Sequence, residues 1–251
     1  MVDETGESSF KNKEVILFDL GGTLIEYYQA KEFPAILEQG ITNIINYLTE
    51  KYNFNENFDD IWKRVKKENY EMKNFKVRPL EDRLDSIFKL NDIEEGKSLQ
   101  KLTLKSCSLF MEPIFQISKI YNDTIPCLEK IKQTGLKIGL ISNTPWGCPS
   151  FFWKKELEKY QLNTFFDEIV FCRDVGWRKP AKQIFELMIK NMQVKVEKCL
   201  FIGDDRRWDL IGPNNIGMDA LIINRTEKKR VYDATYIKNL YQLLDNLKIP
   251  Y

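Results

Sequence analysis

Five short, almost wholly apolar runs are the feature of this 251-residue chain that most limits its fold. A strand with one face in water alternates polar and apolar residues, whereas a continuously apolar strand is buried on both faces, as in a parallel sheet covered by helices. Stretches with a helical pattern separate the last four runs, which predicts an α/β protein with a doubly wound parallel sheet. The predicted strands are residues 14–18, 136–141, 168–171, 198–202 and 219–223.

A long helical segment separates the first predicted strand from the second. Its clearest helix has apolar residues along one face, at Leu37, Ile41, Ile44, Ile45 and Leu48. The same reasoning predicts helices at residues 59–75, 79–90, 94–110, 149–160, 180–192 and 208–215. We therefore predict an all-helical cap domain, residues 27–118, inserted into a Rossmann-like core formed by residues 1–26 and 119–251.

Composition excludes several classes of protein. Lys+Arg (38) and Asp+Glu (37) nearly cancel, so no net charge favours nucleic acid or an anionic membrane surface as a partner. No apolar run reaches the length of a transmembrane helix, and the polar N-terminus does not resemble a signal peptide, so we expect a cytoplasmic protein. The five cysteines lack CxxC spacing, which favours reduced thiols over a zinc site. The sequence does not indicate an oligomeric state.

The chain contains no histidine. This excludes Ser-His-Asp and Cys-His catalysis, histidine-bound metals and the usual proton shuttle at neutral pH. Any chemistry must therefore use carboxylates, lysine, hydroxyl groups and a bound metal ion.

Polar residues follow the first four predicted strands, at or soon after the point where each strand ends. In open α/β sheets, ligands bind outside the carboxyl ends of the strands. The residues in question are Asp19 after the first strand, Ser142 and Asn143 after the second, Lys179 after the third, and Asp204, Asp205 and Asp209 after the fourth. They predict one site at one edge of the sheet.

These residues occur in four motifs that resemble those of the haloacid dehalogenase superfamily. They are Asp-Leu-Gly-Gly-Thr-Leu at 19–24, Ser-Asn at 142–143, Lys-Pro at 179–180 and Gly-Asp-Asp-Arg-Arg-Trp-Asp at 203–209. The chain is most similar to the phosphatase branch with a helical cap after the first core strand. The resemblance implies a Mg²⁺-dependent hydrolase that acts on a small phosphorylated metabolite through an aspartyl-phosphate intermediate.

The resemblance also implies a role for each residue. Asp19 is expected to be the nucleophile, and the other catalytic candidates are Ser142, Asn143 and Lys179. Mg²⁺ is expected to bind Asp19, the Gly21 carbonyl, Asp204 and Asp209, with Asp209 holding metal-bound water or Lys179. The candidates for substrate contact are Thr23, Trp146, Arg78 and Arg83. Taken alone, the Ser-Asn and Lys-Pro motifs also fit a turn and a surface lysine.

Gly21 departs from the family pattern, in which the residue two after the nucleophile is usually an Asp that serves as general acid and base. The loss of such a group typically costs about 10²–10⁴ in rate. The first interpretation is a phosphatase whose substrate needs little proton transfer, or which uses Glu26, Tyr27, Asp205 or a cap residue instead. The alternatives are a non-catalytic phospho-ligand-binding module and a 2-haloacid dehalogenase-type hydrolase. We expect the backbone at residue 21 to accept an Asp, and a Gly21→Asp enzyme to gain turnover.

Overall fold

The computed structural model describes residues 10, 12–29, 31–225 and 236–250. Six strands form one parallel sheet in the order β5-β4-β1-β6-β7-β8, and two short strands form an antiparallel pair, β2-β3. The strands are β1 (Val15–Phe18), β2 (Ile25–Glu26), β3 (Lys119–Ile120), β4 (Lys137–Ser142), β5 (Glu168–Phe171), β6 (Cys199–Gly203), β7 (Asp219–Ile223) and β8 (Tyr236–Ile237). The five predicted strands are confirmed to within one residue at each end.

β1 lies near the centre of the sheet and is buried on both faces. Ile16 and Phe18 belong to the apolar cluster on one face, and Val15 and Leu17 belong to the cluster on the other face. Each of these four side chains is at most 1% exposed. This double burial explains why the strand is continuously apolar.

Helices cover the sheet and fill the segment between β2 and β3. They are α1 (Phe33–Tyr52), α2 (Phe58–Glu68), α3 (Leu80–Phe88), α4 (Leu90–Ile93), α5 (Gly96–Ile117), α6 (Thr124–Gln133), α7 (Ser150–Lys159), α8 (Cys172–Val175), α9 (Lys182–Met192), α10 (Ile211–Asn214) and α11 (Leu240–Leu247). A single π-helical turn, Arg206–Leu210, precedes α10. None of the described helices is both long and apolar enough to cross a bilayer.

Three helix predictions differ from the structure. The helix predicted at 59–75 ends at Glu68, and an irregular segment, residues 69–79, follows it. The helix predicted at 94–110 continues to Ile117 through Pro113, and the one at 208–215 is divided between the π-helical turn and α10. The helices α6 and α11 were not among the predicted elements.

The five helices α1–α5 pack together between β2 and β3. Leu37, Ile41, Ile44 and Leu48 lie on the buried face of α1, as predicted, whereas Ile45 is only partly buried. The backbones of α1 and α5 approach closely at Gly40, where an added Cβ would lie 2.8 Å from the Phe110 carbonyl oxygen. The chain enters and leaves this segment through the β2–β3 pair, in which Ile25 is opposite Ile120.

The segment 69–79 also contacts the segment that follows β5. The Val77 amide donates to the Gly176 carbonyl at 2.9 Å, and the Arg178 amide donates to the Phe75 carbonyl at 2.8 Å. Lys76 and Trp177 form an antiparallel bridge. This contact joins the inserted segment to the core at a place away from β2 and β3, where the chain crosses between them. It places the inserted segment next to Lys179.

Candidate active site

The carboxyl ends of β1, β4 and β6 bring the predicted polar residues to one edge of the sheet. Asp19 directly follows β1, and its backbone amide donates to the Ile202 carbonyl of β6 at 2.8 Å. The Asp19 side chain is 9% exposed, and the Lys179 side chain is 2% exposed. The neighbours of Asp19 therefore determine its charge interactions more than bulk solvent does.

Lys179 links two of the carboxylates. Its Nζ donates to Asp19 Oδ1 at 2.6 Å and to Asp209 Oδ1 at 2.6 Å. Burial by itself lowers the pKa of Lys179, but the charges of Asp19 and Asp209 outweigh burial and raise that pKa above its usual value. Lys179 is therefore a fixed positive charge beside the predicted nucleophile.

Asn143 holds the backbone of Lys179. Its Oδ1 accepts from the Lys179 amide at 2.8 Å, and its Nδ2 donates to the Lys179 carbonyl at 3.3 Å. Ser142 lies at the end of β4, and its hydroxyl donates to the Asn143 carbonyl at 3.3 Å. These contacts give Asn143 a positioning role, and they leave the Ser142 hydroxyl, which is able to rotate, next to the site.

Asp209 is buried beneath this arrangement. Its Oδ1 accepts from Lys179, and its Oδ2 accepts from the Asp205 amide at 3.0 Å. Burial raises the pKa of Asp209. Gly203 makes room for the carboxylate, since an added Cβ would lie 2.3 Å from Asp209 Cγ. Asp209 is therefore placed to hold Lys179, one of the two roles predicted for it.

Three carboxylates converge at this edge. Oxygen atoms of Asp19, Asp204 and Asp209 all lie within 4.8 Å of one another. Gly22 has a φ of 75°, and an added Cβ there would lie 2.6 Å from Asp204 Oδ2, so glycine is needed both for the turn and for the approach of Asp204. Such a cluster of carboxylate oxygens has the donor chemistry of a divalent-cation site.

Thr23 lies beside the nucleophile rather than in the inserted helices. Its hydroxyl is 3.4 Å from Asp19 Oδ2. Its carbonyl accepts from Arg225 Nη2 at 2.6 Å, and Arg225 is in turn paired with Asp123 at 3.0 Å. Arg225 and Asp123 thus hold the loop that follows the nucleophile.

Gly21 faces the side chain of Tyr27. An added Cβ at Gly21 would lie 1.8 Å from the Tyr27 hydroxyl oxygen, 2.0 Å from Cζ and 2.2 Å from Cε1. The backbone at Gly21 does not have a positive φ, so it suits an L-residue, as expected. The obstacle to a larger side chain at residue 21 is the side chain of Tyr27.

Three residues predicted to contact substrate, Arg78, Arg83 and Trp146, make other contacts in the structure. Arg83 is 1% exposed, donates to the Glu68 and Tyr70 carbonyls, and pairs with Glu71 at 2.9 Å. Arg78 pairs with Glu68 and stacks on the Tyr70 ring. Trp146 is 4% exposed, and its Nε1 donates to Asn69 Oδ1 at 3.2 Å. All three side chains therefore contact residues 68–71, at the end of α2 and the start of the segment 69–79.

Sequence reasoning overlooked several residues that support the site. Glu71 joins the two segments, because its Oε1 lies 2.9 Å from Arg83 Nη2 and 3.0 Å from Arg178 Nη1. Arg178 directly precedes Lys179 in the sequence, and this position could have indicated that Arg178 lies near the site. The pair between Asp123 and Arg225 joins residues far apart in the chain, so no local pattern could have indicated it.

Comparison with known proteins agrees with this geometry. The family model of haloacid dehalogenase-like hydrolases matches residues 13–217. A glyceraldehyde 3-phosphate phosphatase of Methanothermobacter thermautotrophicus is 32% identical over 141 residues, which are 53% of this chain and 61% of that protein. A protein of the same name from Methanocaldococcus jannaschii is 26% identical over 252 residues, 93% of this chain and 96% of that protein.

The fold is also found in solved structures. The crystal structure of a 2-haloacid dehalogenase from Pseudomonas syringae pv. Tomato DC3000 aligns with a TM-score of 0.70 at 22% identity, and the alignment covers 94% of this chain and 98% of that one. At this level of identity the similarity shows the fold alone. The matched family model, the strand-end motifs and the parallel sheet together identify this chain as a member of the haloacid dehalogenase-like hydrolases.

Proposed function

We propose that this protein is a Mg²⁺-dependent phosphatase that acts on a small phosphorylated metabolite through an aspartyl-phosphate on Asp19. The observation that carries the proposal is the position of Asp19, which is paired with Lys179 and lies within 4.8 Å of two further carboxylates. A carboxylate in this position can act as the nucleophile that forms a covalent phospho-enzyme, and the Lys179 ammonium beside it offsets negative charge at the site. The carboxylate cluster supplies the place for a metal ion.

The proposed reaction has two displacements at phosphorus. In the first, a carboxylate oxygen of Asp19 forms a bond to phosphorus while the bond between phosphorus and the leaving oxygen breaks. In the second, water forms the new bond, the Asp19 carboxylate is released, and inorganic phosphate carries both protons of that water. We assign the Lys179 ammonium and the Ser142 hydroxyl to stabilising the phosphoryl oxygens in both steps.

The donor set at this edge fits Mg²⁺. This ion prefers about six oxygen ligands, of which one or two are carboxylates and the rest are waters, carbonyls and substrate phosphate. Asp19, Asp204 and the Gly21 carbonyl are the proposed protein ligands. We assign Asp209, which is buried and accepts from Lys179 and from the Asp205 amide, to holding Lys179. Bound Mg²⁺ would offset negative charge on the phosphoryl group.

We further propose that residues 27–118 are the cap domain and that residues 1–26 and 119–251 are the core of a cytoplasmic enzyme. The cap would cover the site, and lid closure of this kind excludes water from the reaction. The relatives named above make glyceraldehyde 3-phosphate and similar three-carbon phosphates the first substrates to test. No nucleic acid or membrane is required as a partner.

Two alternatives give different results in the same experiment. A dehalogenase would share the fold and would lack a carboxyl at residue 21, but its chemistry would need no magnesium. A binding module would retain Asp19, Lys179 and Asp204 without turnover. The convergence of three carboxylates favours the phosphatase over both, because a metal site of this kind serves phosphoryl transfer.

The deciding experiment is a phosphate-release assay on a panel of phosphorylated compounds. The panel should include glyceraldehyde 3-phosphate, a sugar phosphate, an acyl phosphate and a nucleotide, each with and without Mg²⁺. Asp19→Asn is the matched control, because it removes the nucleophile and keeps the side-chain volume. Mg²⁺-dependent release by the wild type alone supports the proposal.

The other outcomes would contradict it. Halide release from a 2-haloacid without metal would make the chain a dehalogenase. Binding of phosphorylated ligands without any turnover would make it a binding module.

A further inference from the structure

The Tyr27 hydroxyl occupies the space that a side chain at residue 21 would enter. The ideal Cβ position at Gly21 lies 1.8 Å from the Tyr27 hydroxyl oxygen. Residue 21 is in the loop that directly follows the nucleophile, and the chain has no carboxyl there. A polar group from another part of the chain therefore stands beside Asp19 at the position where the local side chain is missing.

The other groups considered for this position lie elsewhere. Glu26 is exposed and belongs to the β2–β3 pair. Asp205 accepts from the Arg207 amide at 2.8 Å and pairs with the Arg207 guanidinium at 3.0 Å, so it caps the π-helical turn. Tyr27 is the candidate whose oxygen reaches the Gly21 position.

The Tyr27 hydroxyl is available as a donor. Among the residues that the structure describes, the Tyr27 hydroxyl forms no hydrogen bond, while its ring contacts the rings of Tyr28 and Trp153. Burial, followed by the nearby charges of Tyr28, Asp19, Asp204 and Asp209, raises the pKa of Tyr27 well above its usual value. The group is therefore a neutral O–H at physiological pH, directed toward a carboxylate-rich site.

The ring of Tyr27 is held firmly. Its centroid lies 5.0 Å from that of Tyr28 and 5.4 Å from that of Trp153. Trp153 is itself fixed, because its Nε1 donates to Cys148 Sγ at 3.1 Å and its ring contacts Phe115 of α5 at 5.2 Å. A donor held in this way does not lose freedom when substrate binds, which is a requirement for effective stabilisation.

We propose that Tyr27 is a catalytic residue that donates a hydrogen bond to the leaving oxygen of the substrate and stays protonated throughout. This deepens the proposed phosphatase function and rests on it. When the bond between phosphorus and the leaving oxygen breaks, that oxygen keeps the electron pair and its charge is stabilised by the Tyr27 O–H. The leaving oxygen then takes a proton from water. The Tyr27 O–H therefore matters most for substrates with basic leaving groups, because their departing oxygen carries the most negative charge to stabilise.

The test compares Tyr27→Phe with Tyr28→Phe, which removes the hydroxyl of the adjacent tyrosine. The substrates are 4-nitrophenyl phosphate, phenyl phosphate and glycerol 3-phosphate, whose leaving groups are progressively more basic. Since kcat/KM reports the steps up to transfer to Asp19, its ratio between variant and wild type isolates the proposed contact. Thermal unfolding of each variant checks that the fold is kept.

For Tyr27→Phe we expect kcat/KM on glycerol 3-phosphate to fall by about tenfold to a hundredfold, as for a lost hydrogen bond to a charged group. The loss should shrink along the series toward 4-nitrophenyl phosphate, and Tyr28→Phe should show no such trend. Equal losses on all three substrates, or no loss, would overturn the role of Tyr27 and leave the phosphatase proposal standing. Absence of phosphate release by the wild type on every substrate would overturn both.

Discussion

Replacement of Gly21 by Asp tests the position of the Tyr27 ring directly. Restoring a carboxyl beside the nucleophile is the obvious way to seek a faster enzyme. In this chain, however, three atoms of the Tyr27 side chain, the hydroxyl oxygen and two ring carbons, lie within 2.2 Å of the new Cβ position. Packed heavy atoms normally approach to about 4 Å, so the ring would have to retreat by roughly 2 Å. Its contacts with Tyr28 and Trp153 oppose that movement.

The expected cost follows from this overlap. Adding atoms to a well-packed site typically destabilises a protein by about 1–3 kcal/mol. For a protein of this size, each kcal/mol lowers Tm by about 2–4 °C. We therefore expect Gly21→Asp to be folded but less stable, with turnover on alkyl phosphates that does not rise.

The assay is a double-mutant cycle with Tyr27→Ala. The four proteins are the wild type, Gly21→Asp, Tyr27→Ala and the double variant, and urea unfolding gives the free energy of unfolding of each. Because the clash is absent when the ring is absent, the destabilisation caused by Asp should largely disappear in the Tyr27→Ala background. The coupling free energy should therefore be about 1–3 kcal/mol, the size of the overpacking term. The double variant, which has both a carboxyl and the space for it, is the one in which turnover on alkyl phosphates should recover.

A stable Gly21→Asp protein with no coupling to Tyr27 would refute this reasoning. It would mean that the Tyr27 ring moves aside at no cost or lies elsewhere.

Three further predictions concern the nucleophile, the metal and the thiols. Asp19→Asn should fold, because Asp209 still pairs with Lys179, and it should lose turnover; retention of more than about a hundredth of the wild-type rate would contradict the covalent mechanism. Excess chelator should abolish phosphate release, and Asp204→Ala should weaken Mg²⁺ affinity by at least about tenfold in calorimetric titration. The five cysteines are free and buried, and burial raises the pKa of each thiol, to about 11 for Cys199. They should therefore react with a thiol reagent only after unfolding, and rapid labelling of the native protein would contradict their burial.

The sheet could be predicted because each strand can be recognised from its own few residues. A strand such as β1 is apolar along its whole length, and a polar residue, Asp19, directly follows it. The four strand-end motifs therefore indicated both the sheet edge and most of the polar cluster. The contacts between Lys179 and its two carboxylates agree with that prediction.

The segment after α2 could not be predicted in the same way. Its composition suits a helix, but the Arg83 side chain donates to the carbonyls of Glu68 and Tyr70, and this interaction replaces helical hydrogen bonds. Arg83 lies outside this segment in the sequence, so the hydrophobic periodicity of the segment does not indicate the interaction. The same limit applies to Tyr27, because its proximity to Gly21 depends on how the chain folds back between β1 and β2.

The position of the inserted helices also has a consequence for how the chain folds. β1 ends at Phe18, and its neighbour β4 begins only at Lys137, so their pairing closes a very long loop. The entropic cost of closing a loop grows with the logarithm of its length, by about 0.6 kcal/mol for each doubling. A loop roughly four times as long as another therefore costs only about 1.2 kcal/mol more to close. The inserted segment offsets this cost through its own apolar contacts, such as those of α1 with α5. The central strand pair can therefore tolerate inserted segments of very different length, while the sheet edge that it organises stays the same.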